Sequence, residues 1–137
     1  MTLVDAGPLI ALIDAGDPDH ELCVTTLREV RLPLLTTWPA FTEAMYLVGR
    51  AGGWPGQDAL WRMALNGDLE IAEQSAESAS RMAKLMERYA DRPMDLADAA
   101  LVVLGEERKT KRIFTLDADF SIYRLHGRAR FELLPAI

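Results

Sequence analysis

One cysteine, two histidines and no long apolar run set this chain's limits. Cys23 alone cannot close an internal disulfide, which fits a reducing, cytoplasmic setting. No base is identifiable to activate it, so Cys23 reads as a small buried helix side chain. Neither His20 nor His126 has another His or Cys at ligand spacing, which argues against zinc. No apolar stretch approaches the roughly 20 residues that cross a bilayer. No basic run precedes an apolar segment at the N-terminus, so a secretory signal is not expected either. A basic surplus is missing too: 21 Asp and Glu outnumber 15 Lys and Arg, for a net charge of −6. General phosphate-backbone binding by this chain alone is therefore disfavoured. Bound divalent cations, or basic surface on a partner, would offset that charge. Repeats, low-complexity segments and linkers are absent as well. Half of the 137 residues are hydrophobic, enough for one sizeable core, so residues 1–137 are expected to form one domain.

What is present is a set of acids embedded in apolar sequence. Asp5 ends the run Thr2-Leu3-Val4, Glu43 follows Phe41-Thr42, Asp98 lies within Leu96 to Leu101, and Asp117 ends Ile113 to Leu116. Charged side chains are rarely buried unless paired or bound to metal. Short strand patterns alternate with helical ones. Strands are expected near 2–4, 32–36, 69–72, 113–116 and 131–134. Helices are expected near 7–13, 18–30, 39–51, 55–65, 75–89, 95–107 and 119–125. Gly52-Gly53 and Pro93 act as breaks. This alternation implies an α/β fold with a mainly parallel sheet and helices on both faces. Asp5 and Asp117 then share the carboxyl edge of the sheet, where such sheets bind ligands.

Each acid also has a plainer reading. Asp5 can cap the following helix, Glu43 can pair with Arg50, Asp98 can be a solvated helix position, and Asp117 can cap the turn holding Phe120. Asp95, three residues before Asp98, is well placed as an N-cap. Asp119 is a peripheral ligand or a turn residue, and Thr115 a hydroxyl beside the site or an ordinary strand residue. Read jointly, four clustered carboxylates repel unless a cation sits among them. All-oxygen ligation suits Mg²⁺ or Mn²⁺, and phosphodiester hydrolysis is the natural reaction class.

The stretches Leu3-Val4-Asp5-Ala6-Gly7-Pro8-Leu9, Phe41-Thr42-Glu43-Ala44, Leu96-Ala97-Asp98-Ala99-Ala100-Leu101 and Thr115-Leu116-Asp117-Ala118-Asp119-Phe120 together resemble the PIN-domain nucleases, and among them the VapC-type toxins of bacterial toxin–antitoxin pairs. The resemblance covers nearly the whole chain in the right order. It implies a three-layer α/β/α sandwich and a Mg²⁺- or Mn²⁺-dependent endoribonuclease. Asp5, Glu43, Asp98 and Asp117 match the metal-binding acids, with Asp5 and Asp98 foremost. Gly7 stands where relatives often carry a Ser or Thr hydroxyl. The resemblance also implies an RNA substrate, a small antitoxin partner and a homodimer; a stand-alone PIN nuclease is the variant without an antitoxin.

Two other classes compete. A non-catalytic interaction module would have no use for all four acids. A phosphoacceptor of the receiver or haloacid-dehalogenase kind would need a late-strand Lys or a long chain after Asp117-Ala118-Asp119, and neither is evident. The basic run Arg108 to Arg112 precedes the strand leading to Asp117, which places it at the sheet edge opposite the acids, where it suits a helix C-terminus. Trp54 and Trp61 read as helix packing or a dimer surface, and His20 as a surface or structural histidine.

Overall fold

The structure is a computed structural model. It describes residues 1–136; Ile137, the last residue of the expected domain, lies outside the described residues. Five strands, β1 (Thr2–Val4), β2 (Leu34–Thr37), β3 (Leu69–Ala72), β4 (Arg112–Phe114) and β7 (Glu132–Leu134), form one sheet in the order β3-β2-β1-β4-β7. Every pairing in it is parallel. A small antiparallel ribbon, β5 (Arg124–Leu125) with β6 (Ala129–Arg130), stands apart from it.

Alternation along the strands builds two cores, because successive side chains point to opposite faces. Leu3, Leu35 and Ile113 face one side, where α4 (Ala76–Arg88) and α5 (Leu96–Arg108) cover them. Val4, Leu34 and Phe114 face the other, beneath α1 (Ala6–Ile13), α2 (His20–Leu27) and α3 (Trp38–Leu65). The result is the three-layer α/β/α sandwich that the sequence implied.

Local chemistry sets most boundaries. Thr37 caps α3 by accepting from the Ala40 N–H, Pro39 occupies its first turn, and Ser75 caps α4 in the same way. The break expected at Gly52-Gly53 is a kink: Gly53 has φ 62° and ψ −151°, and the helix resumes at once through Pro55. Lys109 closes α5 in the left-handed conformation.

Several expected ranges need correction. The second helix starts at His20, since Asp17 and Asp19 are spent on local turns. The strand expected over 113–116 runs Arg112–Phe114; just beyond it the Thr115 N–H still donates to the Leu134 carbonyl, while the Thr115 hydroxyl donates to Asp5 and accepts from the Asp117 N–H. The helix expected over 119–125 is one 3-10 turn, Ala118–Ser121, followed by the ribbon. At the opposite edge, Arg108 pairs with Glu70 and Arg112 with Glu132, both at strand beginnings. His20 bonds the Ala11 carbonyl, which ties α2 to α1.

Candidate active site

The chain runs β1, β2, β3 outward in one direction, then returns to place β4 on the other side of β1. Between β1 and β4 lies the switch point of the sheet, and the crevice outside strand carboxyl ends at such a point is where open α/β sheets bind ligands. Asp5 directly follows β1, and Asp117 lies three residues beyond β4. Asp98, in the first turn of α5, comes over the same edge. One carboxylate oxygen from each of Asp5, Asp98 and Asp117 lies within 4.8 Å of the others.

Asp5 is both a cap and a cluster member. Its Oδ1 accepts from the Ala6 N–H at 2.8 Å, and its Oδ2 accepts from the Thr115 hydroxyl at 3.0 Å. Burial pushes its carboxyl up to about 6, against those two donors and with further repulsion from Glu43 and Asp117. Asp98 is pushed further, to about 7, by burial first and then by Asp95 and Asp5, with the Tyr123 hydroxyl working against them. Tyr123 donates to Asp98 Oδ2 at 3.0 Å. Asp117 is half-buried and accepts from the Asp119 N–H at 2.9 Å, so it too caps a turn and joins the cluster.

The remaining acids divide. Glu43 lines the same cleft, but outside the tight group of three. Partial desolvation, then Asp95 and Asp117, raises its carboxyl. Asp95 caps α5 by accepting from the Asp98 N–H at 2.8 Å, and it lines the cleft as well. Asp119 turns away to face Arg92 at 3.7 Å. Thr115 spends its hydroxyl inside the protein: it donates to Asp5 and accepts from the Asp117 N–H at 3.0 Å. Glu43 is not paired with Arg50, whose guanidinium lies 5.9 Å from the centre of the Tyr46 ring. None of the ion pairs among the described residues includes Asp5, Glu43, Asp98 or Asp117.

This donor set fits a hard divalent cation. It is all oxygen and anionic, and its oxygens lie within 4.8 Å of one another, near the about 4.2 Å between opposite oxygens around Mg²⁺. Beside the acids, and sharing Leu116, Asp117 and Ala118 with their cleft, opens an apolar hollow of about 230 Å³ lined by Leu22, Leu133 and Pro135. Sequence reasoning missed Tyr123. A buried Tyr needs a partner for its hydroxyl, but nothing in the sequence says which.

The PIN domain family model matches residues 2–125. Ribonuclease VapC26 of Mycobacterium tuberculosis is 31% identical over 134 residues, which cover 97% of this chain and 99% of that protein. Among solved structures, VapC20 of Mycobacterium tuberculosis, described as a Sarcin-Ricin loop cleaving toxin, superposes with a TM-score of 0.83 at 19% identity, over 89% of this chain and 94% of that one. A toxin-antitoxin complex from Klebsiella pneumoniae gives a TM-score of 0.67 at 21% identity, covering 88% and 91%. VapBC2 from Rickettsia felis, bound to a DNA fragment from its promoter, gives 0.66 at 12% identity, covering 96% and 97%. The chain belongs to the PIN-domain family and is similar to its VapC proteins.

Proposed function

We propose that this protein is a divalent-metal-dependent endoribonuclease, the toxin of a toxin–antitoxin pair, acting through one domain over residues 1–137. One observation carries the reading. Three carboxylates from three separate elements meet at the sheet's switch point without a basic partner among the described residues. Such a group stores repulsion that a bound cation relieves. The name Ribonuclease VapC26 on a relative matched over nearly its full length supports RNA as the substrate. The toxin–antitoxin complexes among the structural neighbours support a small antitoxin as partner.

Asp5, Asp98 and Asp117 would hold the ion, Mg²⁺ or Mn²⁺, with Glu43 on the rim. When bound, such an ion supplies a water of lowered pKa and offsets charge on the scissile phosphate. The chain's own part is positional. Thr115 and the Ala6 N–H hold Asp5, while the first turn of α5 carries Asp98 to the edge. Glu43 and Asp95 keep the cleft negative when it is empty of cation, which favours uptake. The apolar hollow beside Asp117 gives an antitoxin segment a surface adjoining the site. A homodimer and a cytoplasmic setting belong to the same reading; no helix among the described residues is long and apolar enough to cross a membrane.

The test is cleavage of a mixed RNA pool with Mg²⁺ or Mn²⁺, with EDTA, and with Asp98→Asn. Cutting that needs both metal and Asp98 supports the reading. Cutting that persists in EDTA or in the variant contradicts it. A non-catalytic module predicts no cutting and no metal binding.

A further inference from the structure

Tyr123 is fully buried, yet its hydroxyl reaches a carboxylate 25 residues earlier in the chain. We propose that Tyr123 is a positioning residue of the acidic site: its hydroxyl holds the Asp98 carboxylate in the orientation that receives a divalent cation. This rests on the metal-site reading above.

The ring cannot swing. It packs edge-on against Tyr89 at 5.1 Å and Phe120 at 5.2 Å, and Phe120 in turn packs against Phe131 at 5.6 Å. Its backbone N–H donates to the Asp119 carbonyl, which ties it to the turn that Asp117 caps. The hydroxyl engages Oδ2 of Asp98 and leaves Oδ1 without a side-chain donor among the described residues. The donor is also neutral. An Arg or Lys in its place would cancel the charge and compete with an incoming cation, whereas a phenol orients the carboxylate without adding a positive charge. Thr115 does the same for Asp5 from the other end of the segment. Residues 115–123 thus supply one acid, Asp117, and the hydroxyl struts of both buried acids. Asp5 and Asp98 come from other elements, and this one segment braces both of them beside Asp117.

Tyr123→Phe removes the hydroxyl and keeps the ring. Phe120→Leu loosens the same aromatic cluster and keeps the hydroxyl. Calorimetric titration with Mn²⁺, with melting measured in EDTA, compares both with wild type. The expected result is Mn²⁺ affinity roughly tenfold weaker in Tyr123→Phe, with Phe120→Leu melting earlier but binding within about threefold of wild type. Cleavage by Tyr123→Phe should recover at high Mn²⁺, unlike that of Asp98→Asn. Affinity in Tyr123→Phe equal to wild type, or reduced no more than in Phe120→Leu, overturns the proposal and leaves the metal site standing. Failure of wild type to bind Mn²⁺ overturns the metal site, and this proposal with it.

Discussion

Asp98 and Glu106 lie about two turns apart on α5, and each is 8% exposed, yet their carboxyls are pushed in opposite directions. Burial raises both. At Glu106 it is outweighed: the Arg81 guanidinium forks onto both carboxylate oxygens at 3.0 and 2.9 Å, the His126 N–H adds a third bond, and the carboxyl falls below its ordinary value. At Asp98 there is only the neutral Tyr123 hydroxyl, against the fields of Asp95, Asp5 and Asp117, and the carboxyl rises to about 7. The same helix therefore carries an acid completed by the protein and an acid left for something else to complete. Position on the helix does not explain it, because the dipole favours an anion near the N-terminus, where Asp98 is, and disfavours one at Glu106. The difference lies in the partners.

The largest effect that would break this comparison is on activity. Asp98→Asn should lower metal-dependent RNA cleavage to less than roughly a hundredth of wild type. In EDTA the same variant should unfold later, by on the order of 1–2 kcal/mol, because it deletes one charge from a repelling group; denaturant melts check this. Next is the completed acid. Arg81→Met strands Glu106 with the His126 N–H alone and should cost about 2 kcal/mol of stability, less than a fully buried pair because Arg81 is 35% exposed. Its cleavage per folded molecule should be unchanged.

A smaller effect separates the two ends of α5 by pH. Asp5 and Asp98 have folded values of about 6 and 7, above the unfolded carboxyl range. Their contribution is complete below about pH 4 and is lost as pH rises through 6 to 7. Glu106 has the opposite sign: its folded value is lowered, so its contribution is present above the unfolded value and lost as pH falls through the folded one. Melting in EDTA should therefore drop between about pH 4 and 7, and added Mn²⁺ should flatten that drop. Asp98→Asn should flatten it without metal, while Arg81→Met should alter only the acid limb. The smallest expected effect is at Asp119→Asn, which loses an exposed contact to Arg92 and should leave cleavage within about threefold of wild type.

Much of this was legible in the sequence for a specific reason. Strand alternation and strand direction are one-dimensional signals, and together they put Asp5 and Asp117 on one edge before any contact is known. Helix caps are equally local, so Asp95 reads correctly as the cap of α5. The rest depends on where side chains turn after the regular elements end. Thr115 was open between strand residue and site hydroxyl, and the bond from its hydroxyl to Asp5 gives it the second role. Asp119, two residues from Asp117, pairs with Arg92 and stands outside the group. Glu43, on α3, lines the cleft but stays outside the tight group of three, which spacing along the chain could not reveal. Strands of two residues, as in the β5–β6 ribbon, carry too little alternation to be seen. Tyr123 could not be assigned because its partner is fixed only by tertiary packing.

In the proposed function, a divalent cation completes the Asp5, Asp98 and Asp117 group. Calorimetric titration of the wild-type protein with Mn²⁺ near pH 7, repeated in buffers of different ionisation enthalpy, tests it most directly. Saturable binding that releases protons is expected, since carboxyls with values of about 6 and 7 must shed them to bind metal, together with loss of that binding in Asp98→Asn. No saturable binding by wild type, or the same binding in Asp98→Asn, would contradict it.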